Sequence, residues 1–434
     1  SIYNYGNKVV LEMNRDDIQD FIESAKKINR SKEIKLVCLQ HEFGLYGGDY
    51  GSYIVPFLET IEKPVITTFH SILPKPDPLR KRIVQFIGYK SAAIIVMSKI
   101  AINILVNDYG IKKSKIHFVP HGVPNAPLTS PETLKKKLHL KGKTVLSTFG
   151  LISRGKGIEY MIQALPELVK KYPDLVYLII GETHPVVRKT EGESYRNELM
   201  HEVERLGLKN HVRFYNRYVT LKEIIDYLLA SDIYVCTNLD RDQIVSGTLS
   251  YALSCGRAII STPTVYAEDL LSEDRGVLLD EFKDSGAYVK AIERILGNEE
   301  YRKTLEENAY SSGRLMIWPN VASQYLSIFN NVVQLRDETT EKYPNIKLNH
   351  LKTMTDEFGM IQFCNKTTPD KESGYTVDDN SRALIVSVMH NTLYNSEESN
   401  KLAKIYLKFL EFSQDESGWI HTYIKDNKGT DDFS

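Results

Sequence analysis

Cysteine, tryptophan and long apolar runs are scarce in this chain, and so is any excess of one charge. Four cysteines among 434 residues (Cys38, Cys236, Cys255 and Cys364) stand far apart with no C-x-x-C pair, which leaves no disulfide framework to read. Three of them, Cys38, Cys236 and Cys255, lie in or beside apolar segments, so reduced core thiols in a cytoplasmic protein are expected. No apolar run reaches the roughly 18 residues of a membrane span; the longest, 92–97 and 175–180, have the length of buried strands. Lys+Arg number 55 against 56 Asp+Glu, a net charge of -1. That balance gives no global pull toward nucleic acid or anionic membrane, although it permits a local basic cluster. Residues 1–14 lack a basic-then-apolar signal sequence. The start without Met and the polar end, 428–434, lead us to expect a fragment of a longer protein.

What the chain does have is rhythm. Between residues 34 and 280, short β-rich apolar runs (35–39, 64–68, 93–97, 116–120, 144–149, 176–181, 212–215, 233–237, 258–262 and 276–279) alternate with stretches of helical period. The helices expected there are 158–171, 195–206, 221–230 and 246–255. Runs apolar at every position fit strands covered by helices on both faces, and the alternation predicts βαβ units and parallel sheets. The rhythm breaks once, where 120–131 is dense in proline and turn formers and a basic stretch, 135–143, follows. The organisation expected is an N-terminal Rossmann-like domain, 1–124, a linker, 125–142, and a C-terminal Rossmann-like domain, 143–312. A helix over 313–335, a polar linker over 336–350 and a helical unit over 351–434 complete it. The fold class is α/β, two doubly wound domains facing across a cleft, plus a partial all-helical C-terminal segment. Ligands in such sheets bind at the carboxyl ends of the strands.

Four polar clusters fall at those ends. In Thr148-Phe-Gly150-Leu-Ile-Ser-Arg154-Gly-Lys156-Gly157 a strand runs into a glycine-rich turn with two cations before a helix begins. Glycines let backbone approach an anion, and Arg154 and Lys156 add charge where a diphosphate would sit; the Walker spacing is absent. In Asp240-Arg-Asp242-Gln243-Ile-Val-Ser246-Gly247-Thr248 a helix start offers free N–H groups, a second phosphate site. Asp242 is placed to accept from sugar hydroxyls. Asp240 and Asp242 have the D-x-D form of a metal clamp, and equally that of a capping turn. His70 ends one apolar run, and Gln40-His41-Glu42-Phe-Gly44 ends the one before it. His41 with Glu42 reads either as catalytic or as simply hydrogen-bonded. Gly181-Glu-Thr183-His184-Pro185, followed by Glu191-Gly-Glu193-Ser-Tyr195-Arg196, reads as a substrate loop or as an Arg–Glu pair pinning that loop. His184, Glu191, Glu193 and His201 have no zinc-ligand spacing. In the tail, Asp378-Asp379 reads as a helix cap, and the basic run 75–82 as a solvated helix face or a membrane-surface contact.

Taken together these motifs resemble the retaining, nucleotide-sugar-dependent glycosyltransferases of the GT-B fold, family 4, from about residue 35 to 325. The resemblance is carried by Gln40-His-Glu-Phe-Gly44, Thr67-Thr-Phe-His70, Pro120-His-Gly-Val-Pro124, Phe149-Gly-Leu-Ile-Ser-Arg154-Gly-Lys-Gly157, Thr183-His-Pro185 with Glu191–Arg196, and Ser246-Gly-Thr-Leu-Ser-Tyr-Ala252. It implies transfer of a hexose from a nucleotide diphosphate sugar to a glycan or lipid-linked acceptor, with retention and without a cofactor or an essential metal. It also implies that Arg154 and Lys156 hold the donor diphosphate, that the Ser246–Thr248 helix start shares the task, and that His70 lies beside the donor sugar. Asp242 would take the place of the first Glu of the family's E-x7-E motif and Ser250 that of the second, which grips the ribose. Gly150, Gly181, His184, Glu193, Arg196, Gln243, His41 and Glu42 complete the expected substrate site.

Two departures stand out. Ser250 is not an acid, and no glycine-rich loop precedes residue 35, where the family shapes its acceptor site. The 351–434 unit is similar to the start of an α/α toroid. The partners expected are the nucleotide sugar and the acceptor, with no nucleic acid and at most peripheral contact at the inner membrane face. A GT-B phosphorylase and a non-catalytic glycan- or nucleotide-binding protein are the competing readings.

Overall fold

The computed structural model describes residues 8–333, 346–394 and 396–425. The chain divides into two compact units, Ser1–Leu335 and Arg336–Ser434. All ten strands expected in the first unit are present, and they build two parallel sheets. The first sheet has the order β1 (Val37–His41), β2 (Val65–Phe69), β3 (Ser91–Val96), β4 (Ile116–Phe118). Helices α1 (Ile18–Arg30), α2 (Ile54–Thr60), α3 (Pro78–Lys90) and α4 (Lys99–Asn107) accompany it.

The second domain runs α5 (Pro131–Lys137), β5 (Thr144–Phe149), α6 (Ile158–Lys171), β6 (Leu175–Ile180), α7 (Pro185–Glu191), α8 (Ser194–Arg205), β7 (Val212–Tyr215), α9 (Leu221–Ala230), β8 (Ile233–Cys236), α10 (Gly247–Ser254), β9 (Ala258–Ser261), α11 (Val265–Leu270), β10 (Val277–Leu278), α12 (Ser285–Leu296) and α13 (Glu299–Arg314). Its strands lie in the order β10-β9-β8-β5-β6-β7, a doubly wound sheet whose order reverses between β5 and β8. The all-apolar sequence of β6 follows from that position. Leu175, Tyr177 and Ile179 enter one core, with α6 and α12, while Val176, Leu178 and Ile180 enter the other, with α9 and α10. Alternate side chains of one strand thus serve two helical layers, and neither face can be polar.

Helix α14 (Trp318–Val333) packs Val321 and Ile328 against Ile66, Ala93 and Ile95 of the first sheet, and Tyr325 meets Thr68 at 3.1 Å. The two passages between the domains run side by side. Val123 and Ile317 form a parallel bridge, with Val123 N–H donating to Met316 and Trp318 N–H to Val123 at 2.9 and 3.0 Å. A Cβ on Gly122 would come within 2.2 Å of the Trp318 ring, so any larger residue here would have to push that half-exposed ring aside.

Several expectations change here. The stretch read as a linker, 125–142, contains α5, and Lys135 is buried with its ammonium 2.8 Å from Asp232. The lysine run is therefore part of the second domain rather than a free tether. Cys38 faces solvent on β1, whereas Cys236 and Cys255 are buried; alternation on β1 turns Leu39 inward and Cys38 outward.

Within the second unit, α16 (Val377–Tyr394) and α17 (Glu397–Ser413) supply the expected helices, with a short α15 (Asn349–Thr353) before them. A three-stranded antiparallel sheet, β11 (Ile361–Asn365), β12 (Thr368–Thr376) and β13 (Tyr423–Ile424), is added to them. The strands escaped notice because β12 is largely polar and exposed. Neither Asp is the cap itself: the Thr376 hydroxyl accepts from Asp379 N–H at 3.2 Å and donates to the Asp379 carboxylate at 2.6 Å, while Asp378 pairs with Arg382 one turn on. The expected linker residues 336–345 and the polar run 428–434 lie outside the described residues. Among the described residues no helix is long and apolar enough to cross a membrane.

Candidate donor-sugar site

The strand order places a crevice beyond the carboxyl ends of β5 and β8, and the loops there are sewn together by backbone. Leu239 N–H donates to the Gly155 carbonyl at 2.9 Å, and the Thr237 hydroxyl donates to the carbonyl of Lys156. Gly157, at φ 59, leaves no room for a Cβ, which would lie 2.7 Å from Leu239. Gly150 and Gly181 have φ of 139 and 133, and a Cβ on Gly181 would meet the Gly150 carbonyl oxygen at 2.1 Å. Two bare backbones therefore floor the crevice.

Facing Gly150 is the start of α10. Ser246 caps it, its hydroxyl accepting from Leu249 N–H at 3.3 Å and meeting Thr248 at 3.2 Å. Among the described residues the N–H groups of Gly247 and Thr248 have no acceptor. They are the unpaired donors of a helix end, suited to an anion. The Lys156 ammonium forms no ion pair among the described residues.

Arg154 is not brought to that anion site as a free cation. Its guanidinium donates to both oxygens of Glu198, at 2.7 and 2.5 Å, lies 3.5 Å from Glu191, and sits over the Tyr195 ring. The Glu198 carboxylate holds the Arg154 pKa above its ordinary value. Arg196, expected at the substrate, is 2 % exposed. It donates to Glu193 at 3.1 Å and to the Gly181 carbonyl at 2.9 Å. Glu193 in turn accepts from the Thr183 hydroxyl, which with Arg196 holds its carboxyl below the usual range. His184 caps α7 through Nδ1, which accepts from Val186 N–H at 3.2 Å. This cluster pins the Gly181 loop, so these side chains shape the crevice from behind.

Asp242 is exposed, and its carboxylate has no partner among the described residues; only its N–H is engaged, by Asp240 at 3.1 Å. The neighbouring Gln243 accepts from Asn238 at 2.6 Å. Ile244 enters the core of the first domain, which fixes this loop across the cleft. Ser250 is buried, bonded to the Ser246 carbonyl at 2.9 Å and the Tyr266 hydroxyl at 2.7 Å. It belongs to the core side of α10 and does not reach the crevice. The next residue does: Tyr251 stacks on Phe149, with centroids 6.4 Å apart and planes at 17°. Both line a cavity of about 290 Å³ with Gly150, Gly181, Tyr218 and Val219.

On the opposite wall, His70 Nε2 lies 2.8 Å from Gln40 Oε1. Burial lowers the pKa of His70, while Glu42 opposes the shift. Glu42 accepts from Ser71 at 2.8 Å. His41 is not part of that wall. It is fully buried, packed on Phe43 and Phe69 with both ring nitrogens unpaired, and burial drives its pKa down to about 4. Strand alternation again decides: Gln40 faces out and His41 in. His121, which has no role in the expected site, does face the second domain. Its Nδ1 meets the Gly122 carbonyl at 2.8 Å, its Nε2 lies 3.1 Å from a Cβ built on Gly247, and its ring edge meets Tyr251. The Pro120-His-Gly turn was visible in the sequence; the across-cleft contact was not.

The glycosyl transferases group 1 family model matches residues 130–312, and the glycosyltransferase family 4 model matches 23–126. The chain belongs to the group 1, family 4 glycosyltransferases. Among curated relatives, spore coat protein SA of Bacillus subtilis is 25% identical over 202 residues, 46% of this chain and 52% of that protein. Mannosylfructose-phosphate synthase of Agrobacterium fabrum is 23% identical over 252 residues, 56% of this chain and 54% of that protein. The chain thus spans about half the length of these relatives. Among solved structures, Anabaena Alr3699/HepE in complex with UDP and glucose superposes with a TM-score of 0.60 at 17% identity, covering 73% of this chain and 82% of that one. Sucrose-phosphate synthase from Thermosynechococcus elongatus does so with 0.60 at 18%, covering 72% and 77%. At such identity the likeness establishes the fold: this family 4 member has the GT-B architecture.

Proposed function

We propose that this glycosyltransferase-family chain moves a hexose from a nucleoside diphosphate sugar to a hydroxyl of a glycan or lipid-linked acceptor, with retention and without an essential metal. The observation that carries the reading is the unpaired N–H pair of Gly247 and Thr248, facing the bare backbone of Gly150 at the edge where the loop that carries the unpaired Lys156 is tied to Thr237 and Leu239. A diphosphate seated there meets a helix N-terminus and a cation, both fixed before the reaction. Fixed positive groups offset the charge that grows on a departing nucleotide at no reorganisation cost. The cavity walled by Phe149 and Tyr251 is adjacent and offers an aromatic face to the nucleobase. That the Anabaena neighbour is a complex with UDP and glucose supports a nucleotide site.

The sugar would then lie toward the first domain, between His121 and His70. His70, held by Gln40, is oriented to hydrogen-bond a sugar hydroxyl, and Asp242 and Gln243 approach from the other side. Glu42 and Ser71 would meet the acceptor. The test is calorimetric titration with UDP, GDP and ADP in the presence and absence of EDTA, repeated on Lys156→Ala. Micromolar binding of one nucleotide, unchanged by EDTA and weakened in the variant, is the expected outcome. Absence of binding by all three would overturn the reading and favour a glycan-binding module.

A further inference from the structure

The chain is nearly neutral, but its charge is not evenly spread. Residues 71–118 carry nine Lys and Arg against two Asp, while the rest carries 46 against 54. Both acids are already engaged: Asp77 pairs with Arg80 at 2.7 Å, and Asp108 accepts from the Lys75 N–H at 3.1 Å. Lys81, Arg82, Lys90, Lys112 and Lys113 form no ion pair among the described residues.

These cations share a face. Helix α3 buries Ile83, Val84, Ile87 and Gly88 and exposes Leu79, Lys81, Arg82, Gln85 and Tyr89. Lys115 donates to the carbonyls of Gly88, Tyr89 and Ser91 at 3.2, 3.2 and 2.8 Å, which anchors the Lys112–Lys115 turn to the end of α3. A cavity of about 380 Å³ lies in the join, lined by Gln85, Tyr89, Tyr109, Ile111, Lys112 and Lys115. Leu79 is 42% and Tyr89 78% exposed, so apolar bodies stand among the cations along one helix.

We propose that this face of α3 with the Lys112–Lys115 turn docks on an anionic lipid bilayer. Cations near such a surface are drawn by its negative potential, and Leu79 and Tyr89 supply the apolar and amphipathic groups that settle at the headgroup level. Nucleic acid fits less well, because α3 is packed along its inner face and presents no projecting element to a groove. Helix α3 begins at the loop that leaves β2 at His70 and ends, with the Lys112–Lys115 turn, at the amino ends of β3 and β4, so docking would lay this flank of the first domain along the membrane with the cleft mouth at its Leu79 end. This deepens the proposed function by selecting a lipid-linked acceptor, and only that choice of acceptor rests on it.

The test is co-sedimentation of the full chain with vesicles of phosphatidylcholine alone and of phosphatidylcholine with phosphatidylglycerol, across a salt series. Binding confined to the anionic vesicles is expected, falling as salt rises. It should weaken by about tenfold or more in Lys81→Glu/Arg82→Glu/Lys112→Glu. Leu79→Ala/Tyr89→Ala should weaken binding while leaving the salt dependence in place. Titration of each variant with the nucleotide that binds wild type reads the fold and the nucleotide site apart from the vesicles. Vesicle binding with no binding of UDP, GDP or ADP would sink the proposed transferase and leave this docking face standing. Equal binding to neutral vesicles, no vesicle binding, or tighter binding to duplex DNA that the charge variant loses would each overturn the proposal.

Discussion

Arg154 and Glu198 face each other as a forked pair, two N–H groups on two carboxylate oxygens at 2.7 and 2.5 Å. A guanidinium so occupied has little to offer a diphosphate, whereas Lys156 two residues on is unclaimed. Lys156→Ala should weaken UDP binding on the order of tenfold to a hundredfold, the loss of a charge-assisted contact. Arg154→Ala should change it by less than about threefold, as for an exposed ion pair. Calorimetry on both variants distinguishes the two, and the reverse order would return Arg154 to the donor.

Tyr251 and Ser250 provide a second comparison. Ser250→Ala removes a hydroxyl bonded only inside the protein, so nucleotide affinity should stay within about twofold. Tyr251→Ala removes one wall of the cavity and its stack on Phe149, and should weaken the nucleotide about three- to tenfold. Titration with the nucleotide that binds wild type reads both.

His41 gives the pH dependence a sign. Its folded pKa is near 4 against an ordinary 6.5, so the unfolded chain takes up the proton first as pH falls. Stability is therefore lost between about pH 6.5 and pH 4, by roughly 3 kcal/mol for this one group. His41→Phe fills the same apolar box and leaves no unpaired nitrogen. It should be as stable as wild type at pH 7 and more stable at pH 5, measured as urea midpoints; a parallel loss in both proteins would refute this.

Lys135 and Asp232 form a buried pair with a further bond to Val145 N–H at 2.7 Å. Lys135→Met strands the carboxylate and should cost about 3–5 kcal/mol. Adding Asp232→Asn should recover part of that loss. Urea unfolding of the single and double variants gives the comparison.

The architecture was legible because doubly covered strands need apolar residues at every position, as β6 has, and that signal is local. The site was legible as loops and less so as side chains. Parity on β1 turned Gln40, rather than His41, toward the cleft, and the helical turn of α10 turned Tyr251, rather than Ser250. On β1 the miss is a single residue, which local chemistry does not flag because both neighbours are polar; on α10 the sequence marks Ser250 as a departure and says nothing of Tyr251. Arg154 shows a different limit: its partner Glu198 lies 44 residues away on α8, so nothing near Arg154 announces that its charge is paired. Lys135 was placed in a linker by the same blindness, since Asp232 is 97 residues distant.

The bridge between Val123 and Ile317 governs how the cleft can change width. A body hung from a single thread can twist and tumble; one hung from two threads knotted together can only swing. Gly122 seated against Trp318 makes that knot tight, and Ile244, lodged in the core of the first domain, is a second tie on the far side of the crevice. A change in the width of the mouth therefore has to withdraw Ile244 while the knot stays closed, and a pair of probes set across the mouth would report it.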